Sequence, residues 1–163
     1  MKKEPTLTRS QSKRLETWNS KANKALLLKS LELSLVSKGF ELIGEGCSRR
    51  VFSKKKLPFV LKLPSTGWNS DNNIYEYKTF KRGLLPVAKC SLVFPGGVPV
   101  LKMEKVKPLS TPQEYKTKGQ IARAAKVKIS DLEWIWKVDS YQVGLTAEGK
   151  LVAFDVGDHC VSR

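Results

Sequence analysis

Hydrophobic positions recur at helical spacing between about Asn19 and Lys38, where Leu27, Leu28, Leu31 and Leu35 form one stripe with lysines opposite. Gly39 follows as a helix-ending residue. Residues 1–18 have no such stripe. They are polar and basic and contain Pro5, a composition that predicts a flexible basic arm. After Gly39 the period shortens. Phe40–Ile43, Arg50–Ser53 and Phe59–Leu63 read as three strands, separated by a glycine turn and by the polar turn Lys54–Pro58. A helix is predicted over about Asp71–Arg82, with Ile74, Tyr77 and Phe80 or Lys81 inward and Gly83 as its stop.

Two further strands, Ala88–Phe94 and Val98–Met103, flank Pro95-Gly96-Gly97, a hairpin signal. Pro108–Pro112 reads as a linker and Gln113–Lys128 as a helix, weakened by Gly119. Trp134 and Trp136 alternate around Ile135 like a strand with one face in the core. A last hairpin joins Gln142–Thr146 to Leu151–Phe154 through Ala147-Glu148-Gly149-Lys150. The order predicts an α+β fold with a five-stranded antiparallel sheet first. Its expected divisions are the arm, a helix plus sheet lobe over 19–106, and a smaller lobe over 107–163.

Composition narrows the function classes. The chain has 163 residues, 40% of them hydrophobic, enough for one domain with a core or two small lobes sharing a cleft. Its 30 basic and 15 acidic residues give a formal charge of +15, which favours nucleic acid, nucleotide phosphates or an acidic protein surface as partner. Cys47, Cys90 and Cys160 show no C-x-x-C spacing, which points to the cytoplasm and away from a disulfide frame or zinc site. His159 is the single histidine, so histidine-rich metal sites and H-E-x-x-H chemistry are excluded. No apolar run approaches the ~20 residues of a membrane span.

The candidate chemistry lies along the strands. Gly44-Glu45-Gly46 sits in a turn between two of them, where glycines let backbone N–H groups approach a phosphate, although the same residues also suit an ordinary hairpin. No helix follows the turn and no Walker A lysine is present, so neither a Rossmann fingerprint nor a P-loop fits. Lys62, inside the apolar strand Phe59–Leu63, either faces solvent or is held by a carboxylate. Glu76 on the following helix could be that carboxylate, although Asn73-x-x-Glu76 also has the spacing of a capping box. Gln142 and Asp155-Val156-Gly157 bracket the last hairpin.

In this order the residues resemble the ATP site of the protein kinase-like superfamily over residues 40–157. The resemblance implies a kinase-like N-lobe with one αC-type helix, followed by a much reduced C-lobe of one helix and a β-hairpin. It implies ATP and Mg2+ as ligands. Gly44, Gly46, Val51 and Arg49, which holds the third glycine position, would cover the nucleotide. Lys62, held by Glu76, would reach the phosphates. Met103 would guard the back of the pocket, and Glu104 and Val106 would offer backbone groups to adenine. Gln142 and Asp155 would hold the metal.

Two departures qualify the expected activity. Lys137 stands where the family carries its catalytic Asp, and Asp139 where it often carries a Lys. An ammonium accepts a proton only if its pKa is strongly depressed. Either Asp139 is the base, acting with Lys62 and Asp155, or there is none. Only six residues follow Gly157, too few for a peptide-docking lobe. The expectation is therefore an ATP/Mg-binding protein with weak or partner-dependent serine/threonine phosphotransfer, or a pseudokinase, acting on a partner protein. Small kinase-like proteins of bacteriophages and bacterial effectors share this economy. The alternative is a non-enzymatic basic protein that engages an acidic protein surface or nucleic acid.

Overall fold

The computed structural model describes residues 7–46, 48–65, 71–111, 113–138 and 141–156. Two helices lead the chain, α1 (Arg9–Asn19) and α2 (Lys24–Ser37). Strands β1 (Glu41–Glu45), β2 (Arg49–Ser53) and β3 (Phe59–Pro64) precede α3 (Asp71–Arg82). Strands β4 (Cys90–Val93) and β5 (Val100–Glu104) complete a five-stranded antiparallel sheet of order β1-β2-β3-β5-β4. The fold is α+β, as the hydrophobic pattern predicts.

Strand alternation gives this sheet two different faces. Phe52, Leu61, Leu63 and Val100 point to one face, where they pack with Trp18, Leu28 and Leu35 of the leading helices. Glu32 of α2 and Arg50 of β2 pair across the same layer. Leu101, Met103 and Cys90 point to the other face and share a core with Val152, Ala153 and Val156. Arg49, Val51 and Lys62 belong to this second face by alternation, since Val51 lies opposite Lys62 and Lys62 opposite Leu101.

Among the described residues, Arg9–Asn19 is helical where a flexible arm over 1–18 was expected; residues 1–6 lie outside the described residues. Helix α1 starts at a reciprocal cap: Gln11 N–H donates to the Thr8 hydroxyl at 3.2 Å, and Thr8 N–H to the Gln11 side chain at 3.0 Å. Leu15 and Trp18, three residues apart, are then carried into the core, where Trp18 is 2% exposed. The helix predicted from Asn19 begins instead at Lys24, after a break.

The C-terminal part is a second sheet, β6-β7-β8, made of Lys107–Pro108, Val143–Leu145 and Leu151–Ala153. The predicted hairpin is present, and the predicted linker supplies a third strand beside it. Helix α4 covers Lys118–Ala125, shorter than the predicted Gln113–Lys128. Its Thr117–Gln120 capping box fixes the start, and Lys126 in left-handed backbone ends it. The two tryptophans lie in a 3₁₀ segment, Ile129–Lys137, rather than in a strand. Leu132 and Ile135, three apart, are its buried positions, and Trp136 is 58% exposed. Among its described residues the smaller lobe therefore holds three strands, a helix and a 3₁₀ segment where one helix and a hairpin were expected.

The two sheets are tied together. Ala88 N–H donates to Ala153 O and Ala153 N–H to Pro86 O, each at 2.8 Å, which seats β8 against the segment before β4. Gly144 lies under the connection from β5 to β6, where a Cβ would come 2.7 Å from Lys107 O. Only glycine allows that backbone approach. Among the described residues, no helix is long and apolar enough to cross a membrane.

Candidate functional site

Four charged side chains meet between the sheet and the end of β8. Strand β3 brings Lys62 to the face that α3 covers, and Glu76 projects from α3 toward it. The Lys62 Nζ to Glu76 Oε2 distance is 3.0 Å. Glu76 is 0% exposed and its Oε1 accepts the backbone N–H of Val156 at 3.1 Å. Glu76 therefore holds Lys62 rather than closing a capping box. Asn73 takes a different part: its amide donates to Lys62 O at 2.8 Å and Pro99 O at 3.2 Å, fastening α3 to the sheet.

Arg49 enters from the start of β2. Its guanidinium lies 2.5 Å from Glu76 Oε2 and also pairs with Asp155 Oδ1. Lys62 Nζ is 3.8 Å from the same Asp155 oxygen and donates to Phe154 O. Two cations and two carboxylates thus interlock. Arg49, Lys62 and Glu76 are buried, and Asp155, with its side chain 39% exposed, is the edge open to solvent.

Burial pushes the Lys62 ammonium down to about 8 from 10.5. The Glu76 carboxylate opposes that shift and the Arg49 charge adds to it. Cys90, on the same face of the sheet, has its thiol pushed up to about 12, first by burial and then by Glu76. Cys90 is buried and packs in the core shared by the two sheets.

The remaining predicted positions fall around this cluster. Met103 is buried on the same sheet face, opposite Val60 and Cys90. Glu104 ends β5, and its Oε1 accepts the Lys89 N–H at 2.6 Å. Val106 is half-buried and packs against the core shared by the two sheets. Gly44 pairs with Val51 across β1 and β2, and Gly46 N–H donates to Arg49 O at 2.9 Å. Neither of these glycines has left-handed backbone. Gln142 is buried beside the end of β8, where its backbone carbonyl accepts Phe154 N–H at 3.2 Å. Lys137 Nζ lies over the Trp136 ring, 5.4 Å from its centre. Asp139 and Gly157 lie outside the described residues.

A divalent ion would have to compete with a cation already in this arrangement. The Asp155 carboxylate expected to hold it is engaged by Arg49. Among the described residues, no group of three or more His, Cys, Asp or Glu is placed to bind a metal. Surface cavities of about 230 and 110 Å³ lie elsewhere, the first along α3 at Ile74 and Lys78, the second between Trp18, Leu27 and Gly97. Arg49 bridges Glu76 and Asp155, a role the resemblance does not imply. An arginine at a glycine position of a phosphate-type loop is the signal that could have revealed it.

No protein-family model matches the chain, and no curated protein or solved structure matches it.

Proposed function

We propose that the chain is a kinase-like nucleotide-binding protein of the pseudokinase type, in which the cluster of Lys62, Glu76, Arg49 and Asp155 receives the phosphates of ATP. The observation that carries this reading is the buried Lys62–Glu76 ion pair at 3.0 Å, set beside Asp155 at the mouth of the cluster. A lysine costs a great deal to bury unless its charge is used or paired, and here it is held near an open edge. In this reading Met103 on the same face and the crossing from β5 to β6 at Glu104–Val106 would lie beside the purine. Transfer of the phosphoryl group is weak or partner-dependent in this reading, because Lys137 stands at the position of the base and its ammonium lies on Trp136.

The test is a thermal melt with ATP, offered once with magnesium and once with EDTA. Ligand at a hundredfold its Kd should stabilise the fold by about 2.7 kcal/mol. The absence of any shift at millimolar ATP in both buffers would contradict nucleotide binding.

A second reading, a basic docking protein, is favoured by the outer face of α2. Leu26, Leu33 and Val36 are 69%, 63% and 56% exposed there, with Lys29 exposed among them. A helix apolar on both sides ordinarily has a partner on each. An acidic amphipathic helix suits this one, covering the leucines and pairing with Lys29 on a chain of charge +15. Leu33→Glu should abolish binding of a Leu/Glu-patterned helical peptide while changing stability by no more than about 0.5 kcal/mol. Unchanged peptide binding would remove this reading.

A further inference from the structure

We propose that Arg49 takes the place of a divalent cation at the phosphate site, so that the chain binds its nucleoside triphosphate in the metal-free form. The inference rests on the nucleotide reading above and goes beyond it by naming the form of the ligand.

Charge balance is the first ground. Lys62 and Arg49 supply two positive charges, and Glu76 and Asp155 two negative ones, all within one connected set of ion pairs. The set is neutral as it stands. Without Arg49 it would carry a net negative charge, and an approaching triphosphate would be repelled unless a metal ion came with it. With Arg49 present, a divalent ion at Asp155 would put three cations, carrying four positive charges, beside one another at the edge of the cluster.

Geometry is the second ground. The guanidinium spans both carboxylates, with one terminal nitrogen on Glu76 Oε2 at 2.5 Å and the other on Asp155 Oδ1. A metal ion would have to displace Arg49 from Asp155 before it could coordinate that carboxylate. Guanidinium is also the side chain best suited to stand in for an ion on a polyphosphate. Its charge is fixed at all accessible pH values, and it offers five N–H donors in a planar fork. The two carboxylates engage part of that fork, and the remaining donors can serve phosphate oxygens. Asp155 is the exposed edge of the cluster and Arg49 lies directly behind it, so an arriving triphosphate must draw the guanidinium away from Asp155 to use it.

The test is calorimetric titration of ATP into the wild type, Arg49→Gly and Arg49→Lys, each in magnesium and in EDTA. The readout is the factor by which magnesium tightens ATP binding, which is the coupling between the two ligands. The wild type should bind ATP no more tightly in magnesium than in EDTA, since magnesium sequesters the metal-free form, whereas magnesium should tighten binding to Arg49→Gly by about 10–100-fold, within the usual range of such couplings. Arg49→Lys, which keeps the charge, should stay close to the wild type. Tightening of the wild type by about tenfold or more would overturn the inference without any variant, since the metal then enters despite Arg49. Equal metal independence in the wild type and Arg49→Gly would overturn it too, because Arg49 would not be the cause. Binding seen only in Arg49→Gly would mean that Arg49 blocks the site. If neither the wild type nor any variant binds ATP in either buffer, the nucleotide reading fails and this inference fails with it.

Discussion

Lys62 is a cation in a place where burial opposes its charge, and its stability effect therefore depends on pH. An unfolded lysine titrates near 10.5, whereas in the fold burial brings this ammonium down to about 8. Between those values the unfolded chain binds more protons than the folded one, so stability rises with pH across that window. Below pH 8 the cost of the buried charge is fully present, and above 10.5 it is gone. Urea unfolding of the wild type and Lys62→Met at pH 7.5 and pH 10 should show the wild type gaining roughly 1–3 kcal/mol relative to the variant at the higher pH. A difference between the two proteins that does not change with pH would contradict the burial of this group. At this scale the Lys62–Glu76 pair was legible in the sequence, because a lysine inside Phe59–Leu63 needs a carboxylate and α3 offers one. The bridging role of Arg49 was not. Strand position dictates which face a side chain takes, but a guanidinium can reach several acceptors on that face, and only the three-dimensional placement of Asp155 selects among them.

Among the elements, α1 departs most from the hydrophobic pattern. Its stripe is short, Leu15 and Trp18 alone, and lies in a segment whose basic composition resembles that of an unstructured tail. The capping pair Thr8 and Gln11 was the local signal for a helix start. The core needs this element: Trp18 packs with Leu28, Phe52, Leu63 and Val100 on the sheet face opposite the charged cluster. Trp18→Ala should cost about 3–5 kcal/mol, the usual range for removing a large aromatic side chain from a core. Unfolding free energy from a urea titration measures this, and a change under about 0.5 kcal/mol would mean that the helix is not part of the folded unit. The strands were more legible than the helices. Their alternation is enforced by two different buried faces, whereas α4 and the 3₁₀ segment are set by caps and by three-residue spacings that leave a weaker imprint on a sequence. Trp134 and Trp136 mislead in this way, because alternation over three residues is also compatible with a 3₁₀ turn that buries Leu132 and Ile135.

Across the whole molecule, the site lies where two sheets join. The larger sheet carries Arg49 and Lys62, α3 carries Glu76, and the smaller sheet delivers Phe154, Asp155 and Val156 through the Pro86–Ala88 contact with Ala153. No element holds more than one of the four charged residues, so the cluster exists only when both sheets are in place. Its charges compensate one another locally, while the rest of the surface keeps the large positive excess that draws anions toward it. The central claim is that this junction binds a nucleotide through Lys62. Isothermal titration of ATP into the wild type and Lys62→Met tests it most directly. Saturable one-to-one binding by the wild type, weakened by at least about tenfold in the variant, is the expected result. Absence of binding by the wild type, or equal affinity in the two proteins, would contradict it.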